Sequence, residues 1–149
     1  MRIAVGNDHI GLALKPAVLE ELSRLGVEVI NAGVDVAERV DYPDYAAKVG
    51  RLVQGGEVDR GILICGSGVG MCMAVNKLHG IRASVAHDTY SAHQGVEHDD
   101  MNVLCLGSQI AGPALAHELV SAFVNAEFNQ VERFAARIRK ITELEQTGH

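Results

Sequence analysis

The chain has 149 residues, 48% of them apolar and 21% charged, with a formal net charge of −6. That size suits a single domain, residues 1–149, with enough length for one core. The acidic balance argues against a nucleic-acid partner, which favours a basic face, and no window approaches the roughly 18 uncharged apolar residues of a membrane span.

Residues 2–6, RIAVG, form a short β-rich run closed by Gly6 and Asn7. About four apolar residues in succession are too few for a signal peptide, so a cytoplasmic protein is expected. Over 12–25, Leu12, Leu14, Val18, Leu19, Leu22 and Leu25 recur at helical spacing, and Gly26 stops the helix. VEVI at 27–30 is a second strand, and DYPDYAAKVGRLV at 41–53 opens a helix with Asp and Pro in its first turn. RGILIC at 60–65 is almost wholly apolar, as a central parallel strand covered on both faces should be.

The alternation continues with a helix over 69–78, a strand over 83–86, a helix over 89–97, a strand over 102–107 and a helix over 113–126. This pattern predicts an α/β fold, a three-layer α/β/α sandwich on a five-stranded parallel sheet. The last segment, about 130–146, carries Phe134, Ile138, Ile141 and Leu144 on one stripe with no strand after it. It is expected to pack on a partner subunit, making the protein at least a dimer.

Ligands of open α/β sheets sit beyond the carboxyl ends of the strands. Asp8 and His9, Cys65 to Gly70, His87 and Asp88, and Gly107 to Gln109 fall there. His98 and Asp99 are expected on the loop entering the fifth strand, at the opposite end. His98 could therefore reach a strand-mouth site only from a neighbouring subunit.

CGSGVG at 65–70 departs from the dinucleotide fingerprint: its glycines run G-x-G-x-G, in the third βα turn and not the first. No G-K-[ST] follows, so a Walker loop is absent. The bare reading is an anion-binding nest of backbone amides. Cys72 and Cys105 read as buried strand or helix cysteines. Cys65 has two readings: a buried thiol, or a base whose charge the loop and a helix N-terminus support, with Ser67 close by. Three cysteines without C-x-x-C spacing predict neither disulfides nor zinc. The spacing of His87, His93 and His98 gives no familiar metal set, so no metal is expected. Asp8 could simply cap the turn that follows it. Arg133 and Arg137, four apart on one helix face, are either solvated or a clamp for a phosphate monoester.

GNDHIGLALK, DYPDYA, GILICGSGVGMCMAVNKLHGIRA and HDDMNVLCLGS, in this order, resemble ribose-5-phosphate isomerase B and the related galactose-6-phosphate isomerase subunits, over about residues 3–141. The resemblance implies a Rossmann-like fold, a homodimer or dimer of dimers with shared active sites, and a sugar-phosphate substrate. It implies cofactor-free and metal-free aldose–ketose isomerisation through a cis-enediolate. Cys65 matches the base and Ser67 the residue assisting proton transfer at the oxygens. The amides of Gly66, Gly68, Val69 and Gly70 match the anion hole. Asp8 and a partner's His98 match the ring-opening pair, and His9, Arg133 and Arg137 match phosphate ligands.

The chain departs from the family's pattern on the substrate side. Asp99 replaces an asparagine that would face the enediolate, and Gln109 replaces an arginine. Val96 stands where an arginine is common. FNQVERFAAR at 128–137 has one residue more than the usual segment, with Phe134 where a histidine is usual; the Arg133 and Arg137 match holds only if the extra residue falls before Arg133. These changes suggest altered substrate preference: a tetrose or hexose phosphate, or a free sugar such as allose. The alternatives are a binding module without catalysis and an inactive subunit of a hetero-oligomer.

Overall fold

Side-chain alternation along the central strands decides the layering. In β3 (Arg60–Cys65), Ile62 and Ile64 face one side of the sheet and Leu63 and Cys65 the other, all buried. The computed structural model describes residues 1–148, in which all five strands are parallel. The others are β1 (Arg2–Asn7), β2 (Glu28–Asn31), β4 (Ala83–Val85) and β5 (Val103–Gly107), in the order β2-β1-β3-β5-β4. The expected fold class is the one observed.

Ile3, Val5, Ile64 and Leu106 form one core with α1 (Lys15–Arg24), α4 (Thr89–Asp99) and α5 (Pro113–Asn125). Ala4, Leu63, Cys65 and Cys105 form the second with α2 (Tyr42–Gln54) and α3 (Val69–Val75). From β1 the chain moves outward to β2, then returns to lay β3 on the other side of β1. That reversal opens a crevice at the carboxyl ends of β1 and β3, the place where open α/β sheets bind ligands.

Most element ends shift by a residue or two from the sequence reading, and three of the shifts have a clear local reason. The first helix begins at Lys15 and not Leu12, after a 3₁₀ turn at Gly11–Ala13, because Pro16 has no amide to continue a helix through it. α3 ends at Val75, where Asn76 exchanges two hydrogen bonds with the Ala83 backbone, each 2.9 Å. α4 runs on to Asp99, so His98 and Asp99 occupy its last turn and not a loop.

The C-terminal helix α6 (Glu132–Thr147) lies against α4 through the buried Phe134. The Asn129 amide donates to the Glu97 carbonyl at 2.8 Å, and Glu145 accepts from the Gly80 amide at 2.9 Å. Ile141 and Leu144 of the expected stripe stay exposed, at 43% and 59%. Among the described residues no helix is long and apolar enough to cross a membrane.

Lys15 is the one lysine buried in the fold, 2% exposed. Its ammonium donates to Asn31 Oδ1 at 2.8 Å, the Val34 carbonyl at 2.9 Å and Asp35 Oδ1 at 2.8 Å, tying α1 to the loop after β2. Lys15→Met keeps the stem but removes these three charge-assisted hydrogen bonds. Urea unfolding should show a loss of about 1–3 kcal/mol; an unchanged midpoint would mean that the loop does not depend on this contact.

Candidate active site

Three loops meet at the mouth of β3. The first follows β1. Asp8 is 5% exposed, and its Oδ1 accepts from the amides of Ile10 at 3.0 Å and Gly11 at 2.8 Å, so it does stabilise its own turn. A Cβ on Gly11 would lie 2.1 Å from the Ile64 carbonyl oxygen. The first loop therefore rests on the backbone that leads into Cys65, and only glycine permits that approach. His9 Nδ1 accepts from the Val40 amide at 3.3 Å, which leaves Nε2 to carry the proton of the neutral ring.

The second loop follows β3. Cys65 is 6% exposed, and its Sγ accepts from the Gly68 amide at 3.1 Å. Gly68 takes φ +81°, the left-handed conformation that turns its amide back toward the sulfur. Ser67 is exposed, and its Oγ accepts from the Val69 amide at 3.3 Å. A Cβ on Gly70 would meet the Tyr42 ring at 2.7 Å, so α2 packs directly on this loop.

The third loop follows β5. Gly107 pairs with Cys65, and the amides of Ser108 and Gln109 donate to the carbonyls of Cys65 at 2.8 Å and Gly66 at 3.0 Å. His87, at the end of β4, accepts the Gly107 amide on Nε2 at 2.9 Å, and burial holds its pKa below the usual imidazole range. Asp8, His9, Arg39, Tyr42 and Asp44 line a cleft of about 710 Å³ beside the first two loops.

A second cluster stands apart. His98 stacks on Phe134 with ring centroids 4.1 Å apart and an interplanar angle of 16°. The guanidinium carbons of Arg133 and Arg137 lie 4.7 and 5.9 Å from the Phe134 centroid. His98 Nδ1 is 2.9 Å from Gln94 Nε2, and Asp99 is exposed. The ladder shows how far apart the clusters are. Val103, where the chain leaves α4, pairs with Gly61, whereas Gly107 pairs with Cys65. Four residues of parallel strand cover about 13 Å. Within one chain the structure brings together Asp8, His9, Cys65, Ser67 and the glycine loop. It keeps His98, Asp99, Arg133 and Arg137 at the other end of the sheet.

Several features were not anticipated. Cys72, expected to be buried, is half-buried with its pKa lowered to about 7, chiefly by the neighbouring Cys105 thiol, while the Cys105 thiol is raised well above its ordinary value. Val96 is buried in the core of α4. Gln109 lies beside the Cys65 loop, its Oε1 3.7 Å from where a Cβ on Gly66 would stand. His87 was visible as a strand-mouth histidine, but its hold on Gly107 depends on the β4–β5 pairing.

The family model for ribose/galactose isomerases matches residues 3–141. Ribose-5-phosphate isomerase B of Escherichia coli is 47% identical over 97% of both chains. D-erythrulose-4-phosphate isomerase of Pectobacterium atrosepticum is 39% identical, covering 86% of this chain and 85% of that one. The solved structure of Clostridium thermocellum ribose-5-phosphate isomerase B superposes with a TM-score of 0.95 at 44% identity, over the full length of both chains.

Because burial lowers the His87 pKa, its neutral form is favoured by folding. Its contribution to stability is present above the unfolded value, about 6.5, and is lost as pH falls through the lower folded value. Urea unfolding from pH 7.5 to 5 should therefore destabilise wild type more than His87→Gln, which keeps an acceptor and does not titrate. Parallel curves would contradict this role.

Proposed function

The chain belongs to the ribose/galactose isomerase family and is an aldose–ketose isomerase of sugar phosphates; from this we propose that it interconverts ribose 5-phosphate and ribulose 5-phosphate through a cis-enediolate, with Cys65 as the base. The observation that carries the assignment is the mouth of β3. A cysteine sulfur is held there by the Gly68 amide at 3.1 Å, next to an exposed serine hydroxyl and under the buried Asp8.

The reaction begins with a closed furanose. Asp8 Oδ2, the oxygen its own loop does not use, takes the proton of the anomeric hydroxyl. His98 of a second copy of the chain meets the ring oxygen. The Cys65 thiolate then removes the proton from C2 of the open aldose, and the electrons move into the C1 carbonyl. Gly68 and Val69 have their amides engaged by Sγ and Oγ. The growing oxyanion therefore falls to the amides of Gly66, Ser67 and Gly70. Ser67 Oγ carries a proton between O1 and O2, and the Cys65 thiol returns its proton to C1. No metal enters these steps.

Two copies of the chain supply the site, in a homodimer or dimer of dimers. The register argues for this, because His98, Arg133 and Arg137 cannot reach their own Cys65 across the sheet. His9 and a second copy's arginines hold the phosphate. The uncovered Ile141 and Leu144 suit a buried subunit contact.

A second reading keeps the chemistry and shortens the sugar. Gln109 and Phe134 remove two groups expected at the phosphate. The 39% identical relative is named for a four-carbon substrate, D-erythrulose 4-phosphate.

Turnover of both sugars in the presence of a chelator separates these readings. Cys65→Ala should lose at least 10³-fold in kcat, on the order of a missing general base or more, while still binding the sugar phosphate. Wild-type-like turnover by Cys65→Ala would remove the base from the scheme.

A further inference from the structure

His98 is held by two contacts that the isomerase chemistry does not itself require. Gln94, one turn earlier on α4, places its amide nitrogen 2.9 Å from Nδ1. With the amide NH₂ turned to the ring, Nδ1 accepts, and a neutral imidazole then carries its proton on Nε2. Phe134, 3% exposed, lies flat against the imidazole at 4.1 Å and 16°. An apolar ring there holds the plane of the imidazole and brings no charge to it. Glu97 pairs with His93 at 2.8 Å, the Arg133 and Arg137 guanidiniums lie over Phe134, and Asp99, the next residue, is exposed to solvent.

We infer that Gln94 and Phe134 are positioning residues that present His98 as a fixed, neutral Nε2–H donor to the ring oxygen of a cyclic substrate. This rests on the isomerase chemistry proposed for the chain. Ring opening moves one proton. The O1–H proton passes to Asp8, the C1–O4 bond breaks as the C1=O1 bond forms, and Asp8 returns the proton to O4. His98 stays neutral throughout and stabilises O4 with its Nε2–H, as a neutral imidazole can polarise an oxygen without surrendering its proton. Gln94 matters because a ring without it is free both to present a lone pair to O4 and to swing out of line with it.

The chemistry supplies its own control. In a tetrose 4-phosphate the C4 oxygen is esterified, so no furanose forms and no ring must be opened. A defect confined to ring opening spares that sugar.

The test joins a spectrum to a rate ratio. Proton–nitrogen correlation spectra of ¹⁵N-labelled wild type should show His98 as the Nε2–H tautomer, with cross-relaxation to the Phe134 ring protons. Gln94→Leu should give mixed tautomers, and Gln94→Glu should draw the proton to Nδ1. Gln94→Leu should lower kcat/KM for ribose 5-phosphate about tenfold relative to its value for erythrose 4-phosphate. An Nδ1–H tautomer in wild type would overturn the inference. So would a Gln94→Leu spectrum unchanged from wild type, or equal losses on both sugars. Should wild type turn over neither sugar, the isomerase proposal falls, and the spectrum alone decides the clamp.

Discussion

A parallel sheet has a direction, and the side chains of the proposed site stand at its two ends. All five strands point the same way, so every βα turn opens on one side and every αβ return on the other. Cys65 stands at the first side because it ends β3. His98 stands at the second because it ends α4, the helix that leads into β5. No rearrangement of side chains brings them together across about four residues of strand. The proposed division of the site follows from that separation: one set of side chains at each end of the sheet, joined in the proposed isomerase by a second copy of the chain.

The half-site around Cys65 is rigid for a steric reason. Its three loops touch through backbone. Gly11 rests on the Ile64 carbonyl, Gly107 stands 2.7 Å from Ser67 in the sense that a Cβ there would meet its Cα, and Tyr42 covers Gly70. The amides of Ser108 and Gln109 stitch the third loop to the second. Backbone contacts leave few rotamers to sample, so the sulfur and the remaining amides keep their relative positions before any sugar arrives. The His98 end works differently. Its order comes from side chains, a stack and an amide contact, and substitution there leaves the Cys65 loop untouched.

Much of the fold was legible because the strands are short apolar runs and the helices have clear periodicity. The errors fell where one residue changes local hydrogen bonding: Pro16 delays α1, and Asn76 closes α3 early by bonding to Ala83. The Cys65 loop was legible because its position after a wholly apolar strand already implied a sheet mouth. The split of the site was legible too, from strand polarity alone. The Phe134–His98 stack was not, because it joins residues far apart in sequence and exists only once α6 lies on α4. The same holds for Cys72, whose low pKa depends on a thiol from another element.

Subunit complementation tests the divided site most directly. Assayed on ribose 5-phosphate, Cys65→Ala and His98→Ala should each be inactive alone. Unfolded together and refolded as a mixture, random pairing places the two variants in half of the dimers, where one of two sites is intact, so about a quarter of wild-type activity should return. A mixture as inactive as its components would place both residues in one chain's site and contradict the division across the sheet.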